Sequence, residues 1–331
     1  MTRKLSLSHL PTPLWHHDQL DRIVGTEVWV KRDDMTSGAA SGNKIRKLEY
    51  LLADALEKRA TAVITCGGIQ SNHARATALL AAELGLRPYL LLRSDTPRAP
   101  APLSGNVLLD KLAGAQIRLI SKAEYAERDR LMRELQAELR AQQIAAYVIP
   151  EGGSNGLGAL GYVDAMAEIR QQLDAGLGPG RHASFEAVVH ACGSGGTAAG
   201  VALGIGKWGV ARRAVAIAVC DDMAYFTEVI ARLIAEAQAR DPSLPAAGSW
   251  CVEDTWKGPS YGVASEEQKQ FIVEVCRKTG LVLDPVYTGK ALFGLAQMEP
   301  KPNRALFLHT GGLPGLLADA ATFEHQLTSQ C

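Results

Sequence analysis

The chain has 331 residues, 47% hydrophobic and 21% charged, a globular composition long enough for two α/β units that share a cleft. Thirty-five lysines and arginines balance 35 aspartates and glutamates, so no basic excess recommends nucleic acid or an anionic membrane as a partner. No apolar run approaches the roughly 18 residues of a spanning helix, and the amino terminus lacks a long apolar signal region, which predicts neither secretion nor a membrane span. Cys66, Cys192, Cys220, Cys251, Cys276 and Cys331 show no Cys-x-x-Cys or metal-ligand spacing, so reduced thiols in a cytoplasm are expected.

Residues 41–47, Ser-Gly-Asn-Lys-Ile-Arg-Lys, lead into a strongly periodic segment. Leu48, Leu51, Leu52, Ala55 and Leu56 fall at i, i+3, i+4, i+7 and i+8, which predicts a helix with one buried face. Lys44 lies in its first turn, with Gly42 and Asn43 as a cap-like approach. An amine at the positive helix end holds its proton less firmly, which suits Schiff-base chemistry. On this stretch alone the plainer reading is favoured, a solvated basic turn of Lys44, Arg46 and Lys47.

Short apolar runs at 62–65, 89–92, 117–120 and 147–149 predict strands, and helical periodicity near 72–84, 105–112 and 123–142 alternates with them. Gln70-Ser71-Asn72 ends a strand and opens a helix, so its side chains and N–H groups can receive an anion. A polar N-cap made by Ser71 alone is the competing reading, but Gly67 and Gly68 expose more backbone than a cap requires. His73 reads as a hydrogen-bonded structural histidine and Cys66 as packing. The Pro-rich residues 96–102 form a surface turn.

Further strands are predicted at 187–190, 214–219 and 305–308. After the apolar run 185–189, Cys192-Gly193-Ser194-Gly195-Gly196-Thr197-Ala198-Ala199-Gly200 reads as strand, glycine loop and helix. Glycines admit an anion close to the backbone, Ser194 and Thr197 add hydroxyls, and the helix start offers free N–H groups: a phosphate cup. A dinucleotide site is disfavoured because the cup lies in the second half of the chain, and the Gly-Lys-Ser or Gly-Lys-Thr ending of a Walker loop is absent. The remaining common phosphate is pyridoxal phosphate, whose aldehyde needs a lysine.

Seven motifs then fall in order: Lys31-Arg32-Asp33-Asp34, the segment from Gly42 to Glu49, Gly67-Gly68-Ile69-Gln70-Ser71-Asn72-His73, Gly152-Gly153-Ser154-Asn155 with 158–162, Pro259-Ser260-Tyr261-Gly262, Asp284-Pro285-Val286-Tyr287-Thr288-Gly289-Lys290 and His309-Thr310-Gly311-Gly312. In these the chain resembles the D-cysteine desulfhydrase and 1-aminocyclopropane-1-carboxylate deaminase family of pyridoxal-phosphate enzymes. The likeness runs from Pro11-Thr12-Pro13-Leu14 to Gly312. It implies the tryptophan synthase beta-like fold, called fold type II: α/β, with two open twisted parallel sheets. Residues 47–158 would form a small domain and 1–46 plus 159–331 a large one, with the site in the cleft, in a homodimer.

The resemblance also implies roles. Lys44 carries pyridoxal 5'-phosphate and, once displaced by the substrate amine, removes the α-proton. Ser194, Gly195, Gly196 and Thr197 hold the phosphate. Gln70, Ser71 and Asn72 hold the carboxylate of a small amino-acid substrate, with Asn72 facing the phenolic oxygen of the cofactor. Tyr261 and Tyr287 flank the cofactor, Tyr287 stacking on its ring and either hydroxyl moving a proton, while Lys290 is a structural charge. Thr288 and Tyr261 are expected to touch the substrate and Thr310 the cofactor; ring-opening members carry Glu and Leu where this chain has Thr288 and Thr310, and two threonines are the pattern of the desulfhydrase-like members. A hydroxyl from Thr310 near the pyridine nitrogen draws less charge into the ring, so a Cα carbanion expels its β-substituent. β-Elimination from D-cysteine to pyruvate, hydrogen sulfide and ammonia is therefore expected. The alternatives are ring opening of the cyclopropane amino acid, sulfite release from L-cysteate, and a catalytically silent amino-acid-binding protein, against which Lys44 speaks. A nicotinamide oxidoreductase is disfavoured by the cup's position and by the lysine motif. Ser41 and Ala198 depart from the family's usual glycine and bulkier residue.

Overall fold

The computed structural model describes residues 3–180 and 183–328. The chain begins with β1 (Leu14–His16), α1 (Asp18–Val24), β2 (Glu27–Lys31) and α2 (Lys44–Glu57). It continues through β3 (Ala62–Gly68), α3 (Asn72–Glu83), β4 (Arg87–Arg93), α4 (Gly105–Leu112), β5 (Gln116–Ile120), α5 (Lys122–Ala126), α6 (Arg128–Ala141) and β6 (Ala146–Val148). Next come α7 (Gly156–Asp174), β7 (Phe185–Cys192), α8 (Gly196–Trp208), β8 (Ala211–Ala218), α9 (Met223–Arg240) and β9 (Ser249–Glu253). The last elements are α10 (Glu266–Thr279), α11 (Thr288–Gln297), β10 (Arg304–Leu308), α12 (Leu313–Ala318) and α13 (Glu324–Thr328).

Two sheets result, a four-stranded one in the order β5-β4-β3-β6 and a six-stranded one in the order β1-β2-β10-β7-β8-β9. All pairings are parallel except that of β1 with β2, an antiparallel edge on the expected parallel sheet. β7 is buried along nearly its whole length because its unbroken run Phe-Glu-Ala-Val-Val-His-Ala-Cys has helices on both faces. The strands β1, β2 and β9 were not foreseen; each has 3 to 5 residues and a mixed polar pattern. Residues 123–142 form two helices, not one, since Ser121 and Glu124 close a capping box on α5 and the chain bends at Glu127.

One buried cluster runs through both sheets, joining Val63 and Leu80 to Ala199, Ala202 and Phe226. Glycines allow this close union of α2, α7 and α8. A methyl group on Gly161 would lie 2.2 Å from Arg46 O, and one on Gly200 would lie 2.2 Å from Ala159 O. α2 is consequently buried almost all round, although Leu56, assigned to its buried face, is 37% exposed.

The solvated basic turn is overturned. Arg46 is 2% and Lys47 1% exposed. Arg46 binds Asp33 through two bonds of 2.8 Å, and also Glu168 at 3.0 Å. Tyr162 donates to Asp33 at 2.7 Å, and Lys31 bonds Glu168 and Gln172. Lys31 and Asp33 of the Lys-Arg-Asp-Asp motif thus anchor the first turn of α2. Among the described residues the five cysteines are unpaired; Cys331 lies outside them. No described helix is long and apolar enough to cross a membrane.

Candidate active site

The carboxyl ends of β3, β7 and β10 converge on an inner cavity lined by Lys44, Ser71, Asn72, Ser194, Gly195, Thr197, Tyr261, Tyr287 and Thr310, among others. This is where loops of open parallel sheets meet. The cavity opens, past Gly68, Glu151 and the two tyrosines, into an outer chamber of about 1170 Å³.

The glycine loop behaves as its sequence suggests. Gly195 takes a left-handed conformation at φ 77° and starts α8 without any side-chain cap, so the first-turn N–H groups stay available. A methyl group on Gly196 would stand 2.6 Å from Ser154 Oγ and 2.9 Å from Lys47 Nζ, so both side chains close the cup. Lys47 Nζ donates to Gly152 O at 3.2 Å and Ser154 Oγ at 3.4 Å, and the Ser154 and Ser194 hydroxyls are 2.9 Å apart. Thr197 Oγ1 accepts from Asn43 Nδ2 at 3.1 Å. Burial, with Lys44 nearby, holds the Lys47 ammonium well below its ordinary pKa. A buried cation beside uncapped helix N–H groups is a donor set that a phosphate dianion satisfies. Pyridoxal 5'-phosphate therefore fits the cup.

Lys44 Nζ makes no hydrogen bond or ion pair with any described residue. Burial lowers its pKa to about 8, partly opposed by Glu151 and Cys192. The cause is thus desolvation more than the helix end. Asn43 is helical at φ −56° and makes no capping bond, because its side chain reaches across to Thr197.

The anion loop divides between two tasks. Ser71 Oγ caps α3 by accepting from Ala74 N at 3.2 Å, and Ser71 and Asn72 line the inner cavity. Gln70 is turned away from it: its amide donates to Ser104 O at 3.2 Å and accepts from Asn106 N at 2.8 Å, leaving it on the outer chamber only. Asn106 Nδ2 also binds Asn72 Oδ1 at 3.1 Å, so α4 braces this loop. His73 bonds Thr65 at 2.8 Å within the buried layer, and Cys66 packs under the small sheet.

Tyr261 and Tyr287 meet edge to face with ring centroids 6.1 Å apart, and their hydroxyls are 2.7 Å apart. Burial raises both phenols, but for Tyr261 the Tyr287 bond and the Arg93 charge pull the other way. The two hydroxyls can therefore pass a proton between them in either direction. Tyr287 lies over Gly193, where a methyl group would meet its ring at 3.1 Å. Lys290 gathers Lys257 O at 2.6 Å, Ser260 O at 2.9 Å and Val219 O at 3.3 Å, a structural charge holding the Tyr261 turn.

Thr310 faces the cavity, whereas Thr288 lines neither chamber. Thr288 is fully buried, donates to Asp284 Oδ1 at 2.6 Å and accepts from Asp284 N at 2.9 Å. Its substrate contact is replaced by a supporting one, since Asp284 Oδ2 in turn accepts from Tyr287 N at 2.9 Å. Sequence reasoning also missed Lys47, Asn43 and Ser154. Lys47 was within reach, because i+3 from Lys44 on one helix means the same face.

A family model described as "Pyridoxal-phosphate dependent enzyme" matches residues 5–311. The mitochondrial bifunctional D-cysteine desulfhydrase/1-aminocyclopropane-1-carboxylate deaminase of Arabidopsis thaliana is 42% identical over 321 residues, 94% of this chain and 78% of that one. A putative 1-aminocyclopropane-1-carboxylate deaminase of Thermotoga maritima is 41% identical over 321 residues, 96% and 98% of the two chains. Among solved structures, an ACC deaminase homologue superposes with a TM-score of 0.86 at 37% identity, covering 99% and 96%. Maize serine racemase, at 0.65 and 18% identity over 98% and 93%, shares the fold alone.

Proposed function

Since the chain belongs to the pyridoxal-phosphate dependent enzymes, we propose that it removes a β-substituent from a small amino acid, converting D-cysteine to pyruvate, hydrogen sulfide and ammonia. The observation that carries this reading is a Lys44 amine, unbonded among the described residues and with its pKa at about 8, in one cavity with the glycine loop and the tyrosine pair.

When bound, pyridoxal 5'-phosphate supplies an aldehyde for the amine and an electron sink for negative charge at Cα. Ser194, Gly195, Gly196, Thr197 and Lys47 would hold its phosphate. Lys44 has lost enough proton affinity to act as a nucleophile and then as the base at Cα. Ser71 and Asn72, at the start of α3, receive the carboxylate, with Gln70 as a strut behind them. The coupled hydroxyls of Tyr261 and Tyr287 hold a proton at the mouth of the cavity. Threonine rather than leucine at position 310, the pattern of the desulfhydrase-like members, supports elimination over ring opening.

Homodimerisation is part of the proposal. Leu103, Leu108, Leu112, Leu313 and Leu317 are exposed, and α12 packs on α4, so these leucines form an apolar face suited to a second copy. A cytoplasmic location goes with it, supported by the unpaired cysteines among the described residues.

The test incubates cofactor-loaded protein separately with D-cysteine, L-cysteine, L-cysteate and 1-aminocyclopropane-1-carboxylate. Sulfide plus pyruvate from D-cysteine is the expected outcome. 2-Oxobutanoate as the main product would replace this reading with ring opening, and sulfite would replace it with cysteate cleavage.

A further inference from the structure

We propose that Arg93 is a receptor for a negatively charged group on the β-carbon of the substrate, so that amino acids bearing a β-carboxylate or β-sulfonate compete for this site. The inference rests on the reading that the cavity takes amino acids, and it adds a specificity determinant beside Gly68, where the inner cavity opens into the outer chamber.

Arg93 is the last residue of β4 and lies directly across from Gly68 in the parallel register. Its guanidinium sits between two rings, 5.1 Å from the Tyr125 centroid and 5.2 Å from that of Tyr261. Cation–π contact of this kind holds the guanidinium without using its N–H donors. Among the described residues the Arg93 side chain makes no hydrogen bond or ion pair. The other arginines of the outer chamber are engaged, Arg128 with Glu151 at 2.9 Å and Arg232 with Glu236 at 2.5 Å.

Arg93 lines the outer chamber, and its Nη2 lies beside Gly68, where that chamber meets the inner cavity. A methyl group built on Gly68, which lines that cavity, would stand 3.9 Å from Arg93 Nη2 and 3.5 Å from the Tyr261 ring. The start of α3 already provides for the α-carboxylate, so the anion left for Arg93 is one carried further along the side chain. A carboxylate or sulfonate presents paired oxygens that match the guanidinium fork. Asp95, Asp129 and Asp221 border the same chamber together with the exposed Lys122, so an anion gains little on the way in, and Arg93 is the cation that stands beside Gly68.

Aspartate and asparagine test this, because they are nearly isosteric, differ in β-charge and carry no leaving group. Their binding to the cofactor-loaded protein is read from the change in cofactor absorbance. Aspartate is expected to bind about tenfold more tightly than asparagine, the worth of one charge-assisted bond. In Arg93→Leu the preference disappears, and in Arg93→Lys part of it remains. If Arg93→Leu unfolds, Arg93→Gln decides, since its planar amide still fits between the rings but has no charge. Equal binding by the wild type, or a preference that survives Arg93→Gln, overturns the proposal. No sulfide from D-cysteine with the preference intact would sink the desulfhydrase reading alone; sulfide without the preference would sink this inference alone.

Discussion

Arg46 and Asp33 form a two-pronged buried ion pair, Nε to Oδ2 and Nη2 to Oδ1, both at 2.8 Å, two residues after Lys44. Neither side chain is more than 2% exposed, so each is the other's main compensation for lost water. Removing one partner as Arg46→Ala should destabilise the fold by about 3–5 kcal/mol, because it leaves a buried carboxylate unpaired. Urea unfolding at neutral pH measures this. Burial raises the Asp33 pKa, but Arg46 and Lys31 outweigh it and hold the folded value below 3.8. The stabilisation is therefore complete above the unfolded value and lost as pH falls through the folded one. The wild type should lose stability only below about pH 4, and Arg46→Ala should unfold at a higher pH.

Lys44 must be neutral to attack an aldehyde. With burial setting its pKa at about 8, the rate at which the cofactor-free protein takes up pyridoxal 5'-phosphate should rise with pH and level off above that value. Stopped-flow absorbance follows the uptake; a profile still climbing steeply at pH 10 would contradict the assignment. Lys44→Ala should bind the cofactor without covalent attachment and show no turnover.

Lys47 gives opposite signs with and without cofactor. Its ammonium is buried at the cup and pushed toward losing its proton. Lys47→Met should raise the melting temperature of the cofactor-free protein, since a buried amine with no carboxylate partner among the described residues is replaced by a similar apolar chain. The same change should weaken cofactor retention about tenfold or more, the loss of a charge-assisted bond. Calorimetry on both forms separates the two effects.

Two glycines of α8 separate site from scaffold. Gly196→Ala places its methyl group against Ser154 Oγ and Lys47 Nζ, side-chain ends that can shift, so cofactor affinity should fall while the fold persists. Gly200→Ala meets the rigid backbone oxygen of Ala159 at 2.2 Å, and should cost about 1–3 kcal/mol of stability through overpacking. Parallel thermal melts and cofactor titrations tell them apart.

Much of the site could be read along the chain because its chemistry is local. The cup is a glycine loop between a strand and a helix, and Lys44 opens a helix whose spacing is plain. Ser71 revealed its cap for the same reason. Gln70 and Thr288 could not be read this way, because each side chain bonds to a partner placed by folding: Gln70 to the start of α4 and Thr288 to the turn at Asp284. The short strands β1 and β9 lack a pattern of their own and exist through their neighbours.

By itself the order of residues determined the parallel α/β class and brought forward Lys44 and the glycine loop as candidates, since hydrophobic period, glycine placement and capping act within a few residues, while Tyr261 and Tyr287 came forward through the family motifs. Only the tertiary structure decided that Lys47 stands at the glycine loop, that Arg46 is buried against Asp33, and that Arg93 lies against two tyrosine rings. Burial and charge pairing depend on segments more than a hundred residues apart in some of these contacts, as between Lys47 and Gly152, and no local pattern encodes what a side chain meets there.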